Sequence, residues 1–442
     1  MIRKRKLFAQ FILFLVSASC LIAQVDPSGK DADRETALRY FQEAADISKT
    51  DNGTLWGIPL YGPLLFVDCQ TRKVFANQSD LQGILKREGE VFVGTFPEEE
   101  SIANYALKWA GVKWTMLVWP LPVKDDERQR LIMHELFHRI QDDIGLPIGK
   151  QEVNDHLDTL EGRIWLQLEW KALEKALMSK RERREEAVKD AIVFRAMRRK
   201  LFPQATASEQ TLEMNEGLAE YTGIKLWSRN DFSLSSAAFQ KLEKASLIPT
   251  FVRSFAYYSG PAYGTLLDDL APGWQKKIKP ADDLGILLQQ CLSFELPKGL
   301  EGKAKELALN YGGQELRSRE EKREGEKKKQ LAEFRAKLVD GPLLILPLQK
   351  LNCSFNPNNI IPLEGNKTIY PTYRAVDEWG ILEVENGALF VREEKIAEIH
   401  VAAPTDPSLR PLKGDGWILN VKPNWKAVPG KRKGDFILEF SK

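Results

Sequence analysis

The segment RQRLIMHELFHRIQDDIG, Arg128 to Gly145, constrains the fold more than any other stretch of the chain. The 442 residues include only four histidines, and two of them, His134 and His138, stand four apart here with Glu135 between. Ile132, Leu136, Ile140 and Ile144 recur every fourth residue, which predicts a helix with an apolar stripe against a core. Its expected bounds are 126–144, with Asp125 or Asp126 capping the start and Gly145, followed by Pro147, ending it. On such a helix the two imidazoles project from one face, one turn apart. Two imidazoles so placed suit a tetrahedral Zn2+, and Glu135 reaches a water on the metal rather than the metal itself. The chemistry expected of the trio is general-base activation of that water near neutral pH.

Zinc needs a third protein ligand. His156 follows a break in the helical pattern, and His400 sits in an alternating stretch, AEIHVAA, that reads as a strand. A carboxylate is the better candidate, and two stand on predicted helices: Glu161 in LDTLEGRIW and Glu216 in MNEGLAEYTG.

NEGLAEY, Asn215 to Tyr221, resembles the second motif of the gluzincin metallopeptidases, above all their aminopeptidase-N-like branch. The resemblance implies that Glu216 joins His134 and His138 on the zinc, that Glu135 is the catalytic base, and that the substrate is a peptide or protein. Glu220, one turn beyond Glu216, would then orient a histidine from behind. YYSGPAYGTLLDDL, Tyr257 to Leu270, is similar to the segment after the ligand helix in that branch, where a tyrosine three residues before a glycine donates to the oxyanion. Tyr257 holds that place before Gly260, with Tyr258 and Tyr263 as competitors. KWTMLVWP, Lys113 to Pro120, matches the position of the edge strand that pairs with substrate backbone.

The likeness covers about residues 90–290 and departs from the branch in two ways. His138 and Glu216 are 78 residues apart, so residues 155–205 enter as a helical insertion and Glu161 keeps the more conventional distance. The Gly-x-Met-Glu-Asn motif that grips a free amino terminus is missing, which argues against strict aminopeptidase action.

The whole chain reads as α+β. Residues 26–340 are expected to form a zincin-like catalytic domain, with a sheet over 55–123, the insertion, and a ligand helix over 209–227. A helix is expected near the start, with Leu38, Phe41, Ala45 and Ile47 on one face, and another over Ser101 to Trp109. Mixed-charge RSREEKREGEKKKQLAEFRAKL reads as an exposed helix, and short strands over 343–442 as a small C-terminal β module.

The N-terminus looks like an export signal over residues 1–23: basic Arg3 to Lys6, apolar Leu7 to Val16, then Ser17, Ala18 and Ser19. A secreted or periplasmic location follows, with membrane contact limited to that segment or to a lipid on Cys20. A net charge of +2 gives no electrostatic footprint for nucleic acid. Cys69, Cys291 and Cys353 are too widely spaced to read as a disulfide framework and are expected to be buried thiols. The alternative function is a non-catalytic, zinc-bearing binding or scaffold protein of the cell envelope, which would have no use for Glu135.

Overall fold

The computed structural model describes residues 29–98, 100–150, 153–228, 231–355, 360–364, 366–393 and 396–441. The expected signal segment, with Cys20, lies outside the described residues. The chain is α+β and divides into two compact units, Met1–Gln314 and Glu315–Lys442. Among the described residues no helix is long and apolar enough to cross a membrane.

The first unit opens with α1 (Gly29–Asp51), which buries Ala37, Tyr40, Phe41 and Ala44. The helical period is as expected, but the buried face is rotated, so that of the four expected residues only Phe41 is buried. A six-stranded sheet follows: β1 (Leu64–Asp68), β2 (Lys73–Ala76), β3 (Lys86–Glu88), β4 (Val91–Thr95), β5 (Tyr105–Trp109) and β6 (Val112–Trp119), in the order β3-β4-β2-β1-β6-β5. β6 runs parallel to β1, with Phe66 opposite Leu117, and the other neighbours are antiparallel. Leu65, Val67, Val74, Trp114 and Met116 form the core on one side.

Two expectations fail in this sheet. The stretch ending at Trp109 is a strand, not a helix, because Ala110 and Gly111 take φ of 47° and 85° and close a two-residue hairpin that pairs Trp109 with Val112. That hairpin also makes β6 an interior strand, so the expected substrate-pairing edge is already occupied by β5. Beyond the end of β5, the Asn104 side chain accepts a hydrogen bond from Val118 N–H at 2.8 Å, covering that part of β6 as well.

α2 (Asp125–Ile140) carries the two histidines. Asp125, Asp126 and Glu127 occupy its first turn, where they complement the helix dipole; none serves as the cap, which falls on Lys124. Ile132, Leu136 and Ile140 are buried, and the chain leaves the helix before a left-handed Gly145.

The insertion is a helical hairpin of α3 (Leu160–Met178) and α4 (Glu182–Leu201), with the turn in the charged SKR stretch. The hairpin is fastened by a buried ionic network in which Arg195 and Arg198 from α4 meet Glu169 from α3. Next, α5 (Thr206–Leu212) continues through one wide π turn, Glu213–Gly217, into α6 (Leu218–Trp227). The unit is completed by α7 (Asp231–Ala245), α8 (Ala256–Leu270), α9 (Leu284–Cys291) and α10 (Leu300–Leu309).

In the second unit, α11 (Gly313–Arg335) is largely exposed, as its mixed charge predicts. A seven-stranded and a five-stranded sheet follow, with Leu344, Trp379, Leu382, Val401 and Leu419 in one core. His400 is a strand residue there, 2.9 Å from Glu398. The three cysteines Cys69, Cys291 and Cys353 are exposed, not buried.

Candidate metal centre

Two helices bring the site together. α2 supplies His134, Glu135 and His138, and the π turn before α6 supplies Glu216. π turns recur at functional sites because one extra residue re-aims the side chains around it. Close packing of these elements depends on missing side chains. A Cβ on Gly223 of α6 would come within 2.6 Å of the Arg130 carbonyl oxygen on α2. A Cβ on Gly217 would stand 3.1 Å from Gly260 Cα, so α8 crosses the π turn backbone to backbone. That crossing carries Tyr257, one turn before Gly260, onto the site.

His134 Nε2, His138 Nε2 and Glu216 Oε2 form a near-equilateral triangle with sides of 3.2, 3.4 and 3.5 Å. Donors about 2.1 Å from a tetrahedral zinc ion lie about 3.4 Å from one another. The three residues are the one candidate metal-binding group among the described residues, and all are buried.

The protons point the same way. His134 Nδ1 faces Glu220 Oε2 at 3.0 Å, and a carboxylate can only accept, so Nδ1 carries a hydrogen. His138 Nδ1 faces Gln141 Oε1 at 2.9 Å, while the Gln141 amide nitrogen is turned to the Met214 carbonyl at 3.4 Å. Both Nε2 atoms are thus left as acceptors, facing each other and a carboxylate oxygen. Glu216 Oε2 has no hydrogen-bond partner, nor has Glu135 Oε2. Such a cluster of buried acceptors needs a cation or protons in its midst. Burial alone would lower the histidine pKa values, yet the Glu216 and Glu220 carboxylates hold His134 up at about 10, and Glu216 drives His138 upward too. Burial would raise Glu216, but the two imidazoles pull it far below the usual carboxylate range.

Glu135, Glu216 and Glu220 face the imidazoles, and Lys241, 2.5 Å from Glu220 Oε1, is the one cationic side chain bonded to any of them among the described residues. The acidic groups thus outnumber the cations that meet them, which favours a bound cation between the imidazoles. The donor set of two imidazoles and a carboxylate suits zinc.

Around the triangle, Glu135 is buried, and burial pushes its carboxyl up. The Tyr257 ring stacks on His134 with centroids 5.7 Å apart, and its hydroxyl, raised by burial and by Glu216, faces the same carboxylate. The competing tyrosines are placed otherwise. Tyr263 OH donates to Glu169 at 2.7 Å, inside the ionic network, and Tyr258 lies against Trp170 and Lys241.

Glu161 is outside the cluster and accepts from Trp165 Nε1 at 3.0 Å. His156 is also outside it, bonded to Glu209 at 2.7 Å. Gln141 and Lys241 were not legible as site residues. Gln141 follows His138 by three on the same helical turn, a spacing that could have exposed it. Lys241 comes from α7 with no spacing signal at all. No protein-family model, curated protein or solved structure matches the chain, so the meaning of the site rests on its own geometry.

Proposed function

We propose that the protein is an exported zinc metallopeptidase of gluzincin type with a zincin-like catalytic unit. His134, His138 and Glu216 hold the metal, Glu135 is the base, and Tyr257 is the oxyanion donor. The observation that carries this reading is the triangle of three buried donors, with one oxygen of the neighbouring Glu135 carboxylate lacking a hydrogen-bond partner. A zinc ion held by these three residues would supply Lewis acidity, for polarising the scissile carbonyl and acidifying the attacking water.

The chain's own groups do the rest. Glu220 and Gln141 fix the two imidazoles by their Nδ1–H groups, so that Nε2 faces inward. Glu135 takes a proton from the attacking water and delivers it to the leaving amine. Its burial favours the protonated form, so it can hold the proton between the two steps. Tyr257 stays neutral and presents an O–H to the carbonyl oxygen as charge develops there. The free sheet edge available to an extended peptide belongs to β5 rather than β6.

A non-catalytic zinc-bearing scaffold is the second reading. One observation favours it: His134, Glu135, His138 and Glu216 are each at most 5% exposed, which leaves little of the site open to substrate. The retained Glu135 weighs against it. The deciding experiment measures zinc content and cleavage of an unfolded protein substrate by the wild type and by Glu135→Gln. One zinc per chain in both, with activity lowered ~100- to 10,000-fold in the variant, supports the peptidase. Equal activity in the two proteins sinks it. Zinc without activity in the wild type transfers the case to the scaffold, and absence of zinc ends both readings.

A further inference from the structure

We infer that Lys241 is a positioning residue of the metal centre, which pins Glu220 against His134 and thereby sets how tightly the site holds a divalent cation. The inference rests on the zinc reading above. Its basis is a continuous chain of contacts: Lys241 Nζ lies 2.5 Å from Glu220 Oε1, and the other oxygen of the same carboxylate lies 3.0 Å from His134 Nδ1. Each oxygen is thus committed to one partner, so the ammonium fixes the rotamer by which Glu220 meets the imidazole. The lysine comes from α7.

A further observation separates this from an ordinary surface ion pair. The Lys241 side chain is 22% exposed and its Nζ sits 5.3 Å from the centre of the Tyr258 ring, so the pair is only partly screened by water. Without the ammonium, nothing holds the second oxygen of Glu220, and the carboxylate is free to turn away from His134 or to compete for the metal. A carboxylate behind a zinc-bound histidine orders the ring and raises its basicity only while it stays aimed at Nδ1.

The test uses the full chain and zinc alone as probe. Zinc affinity is measured by competition with a chromophoric chelator, and thermal unfolding on the metal-free proteins, for wild type, Lys241→Met, Lys241→Arg, Glu220→Gln and the double variant Glu220→Gln/Lys241→Met. Lys241→Met is expected to bind zinc ~10-fold more weakly, with Lys241→Arg recovering most of the loss. In the Glu220→Gln background the methionine is expected to cost less than about twofold, because the lysine acts only through Glu220. Wild-type zinc affinity in Lys241→Met, whatever its melting temperature, overturns the inference and leaves the lysine as a docking contact for α7. An undiminished effect in the Glu220→Gln background also overturns it, and that result stands even if another variant folds poorly. If the wild type itself takes up no zinc, the underlying reading fails and this one with it; a zinc-binding wild type with an indifferent lysine fails here alone.

Discussion

The first unit buries two clusters of charge, and they are built on opposite plans. In the hairpin network Arg195, Arg198 and Arg199 face Glu169, Glu209, Glu213 and Asp283. Both oxygens of Glu169 and of Glu209 receive donors from arginine, tyrosine or histidine. Arg195 also donates to both oxygens of Glu213, whose carboxyl burial nonetheless drives up. In the metal cluster Lys241 is the one cationic side chain bonded to a carboxylate among the described residues, and Glu135 and Glu216 each keep an oxygen without a donor. Arginine brings a permanent charge and five fixed donors, so it closes a network; histidine offers a lone pair and leaves one open. Burial and charge density alone therefore do not mark a functional site. An unmet demand for positive charge does.

The strongest way to break this contrast is Arg198→Met. It would leave Glu169 and Glu209 buried with too few donors, at a cost of about 3–5 kcal/mol, read as a fall in the urea or thermal midpoint. Zinc bound per folded molecule should not change. A variant that unfolds normally but loses zinc would show that the two clusters are one coupled device and not two plans.

The reciprocal change is Glu216→Gln. Zinc at about a thousand times its dissociation constant should stabilise the wild type by about 4 kcal/mol, and the variant should show almost none of that gain. Metal-free, it should lose some stability at neutral pH, because the two imidazoles hold the Glu216 carboxylate far below its ordinary range, but less than the arginine variant loses. A large loss of metal-free stability would mean that Glu216 is a structural group closed like those of the network.

The same distinction explains what could be read in advance. Spacing along one helix is local, so His134, Glu135 and His138 were legible, and a short motif made Glu216 so. Strands β1, β2, β4 and β6 followed from their apolar runs. What failed depends on partners distant in sequence or on a single backbone angle. Tyr105 to Trp109 became a strand through the left-handed pair Ala110 and Gly111. β6 lost its edge because β5 paired with it. The arginine network was hidden because nothing in the spacing of a charge-rich helical insertion says which arginines face inward, and Arg195 and Arg198 do. Lys241 was hidden for the same reason: a lysine that meets a site across helices leaves no pattern in its own.

The smallest expected effect tests the contrast from outside both clusters. Glu174 on α3 is half-buried with Glu243 as a like-charged neighbour and only Lys171 to offset it. Burial, more than the neighbour, lifts its pKa from 4.5 to about 7. The folded state therefore holds a proton that the unfolded chain releases. Relative to an uncharged side chain at this position, the wild type is at no disadvantage in acid below the unfolded pKa, and it loses stability as pH rises through about 7. Glu174→Gln should accordingly be more stable than wild type in mild alkali, by ~1 kcal/mol after screening by solvent, with the difference vanishing in acid. Thermal unfolding of both proteins across that range reads the sign directly. A difference independent of pH would mean that the carboxylate finds a cation when folded, as Glu169 does, and so belongs with the closed network.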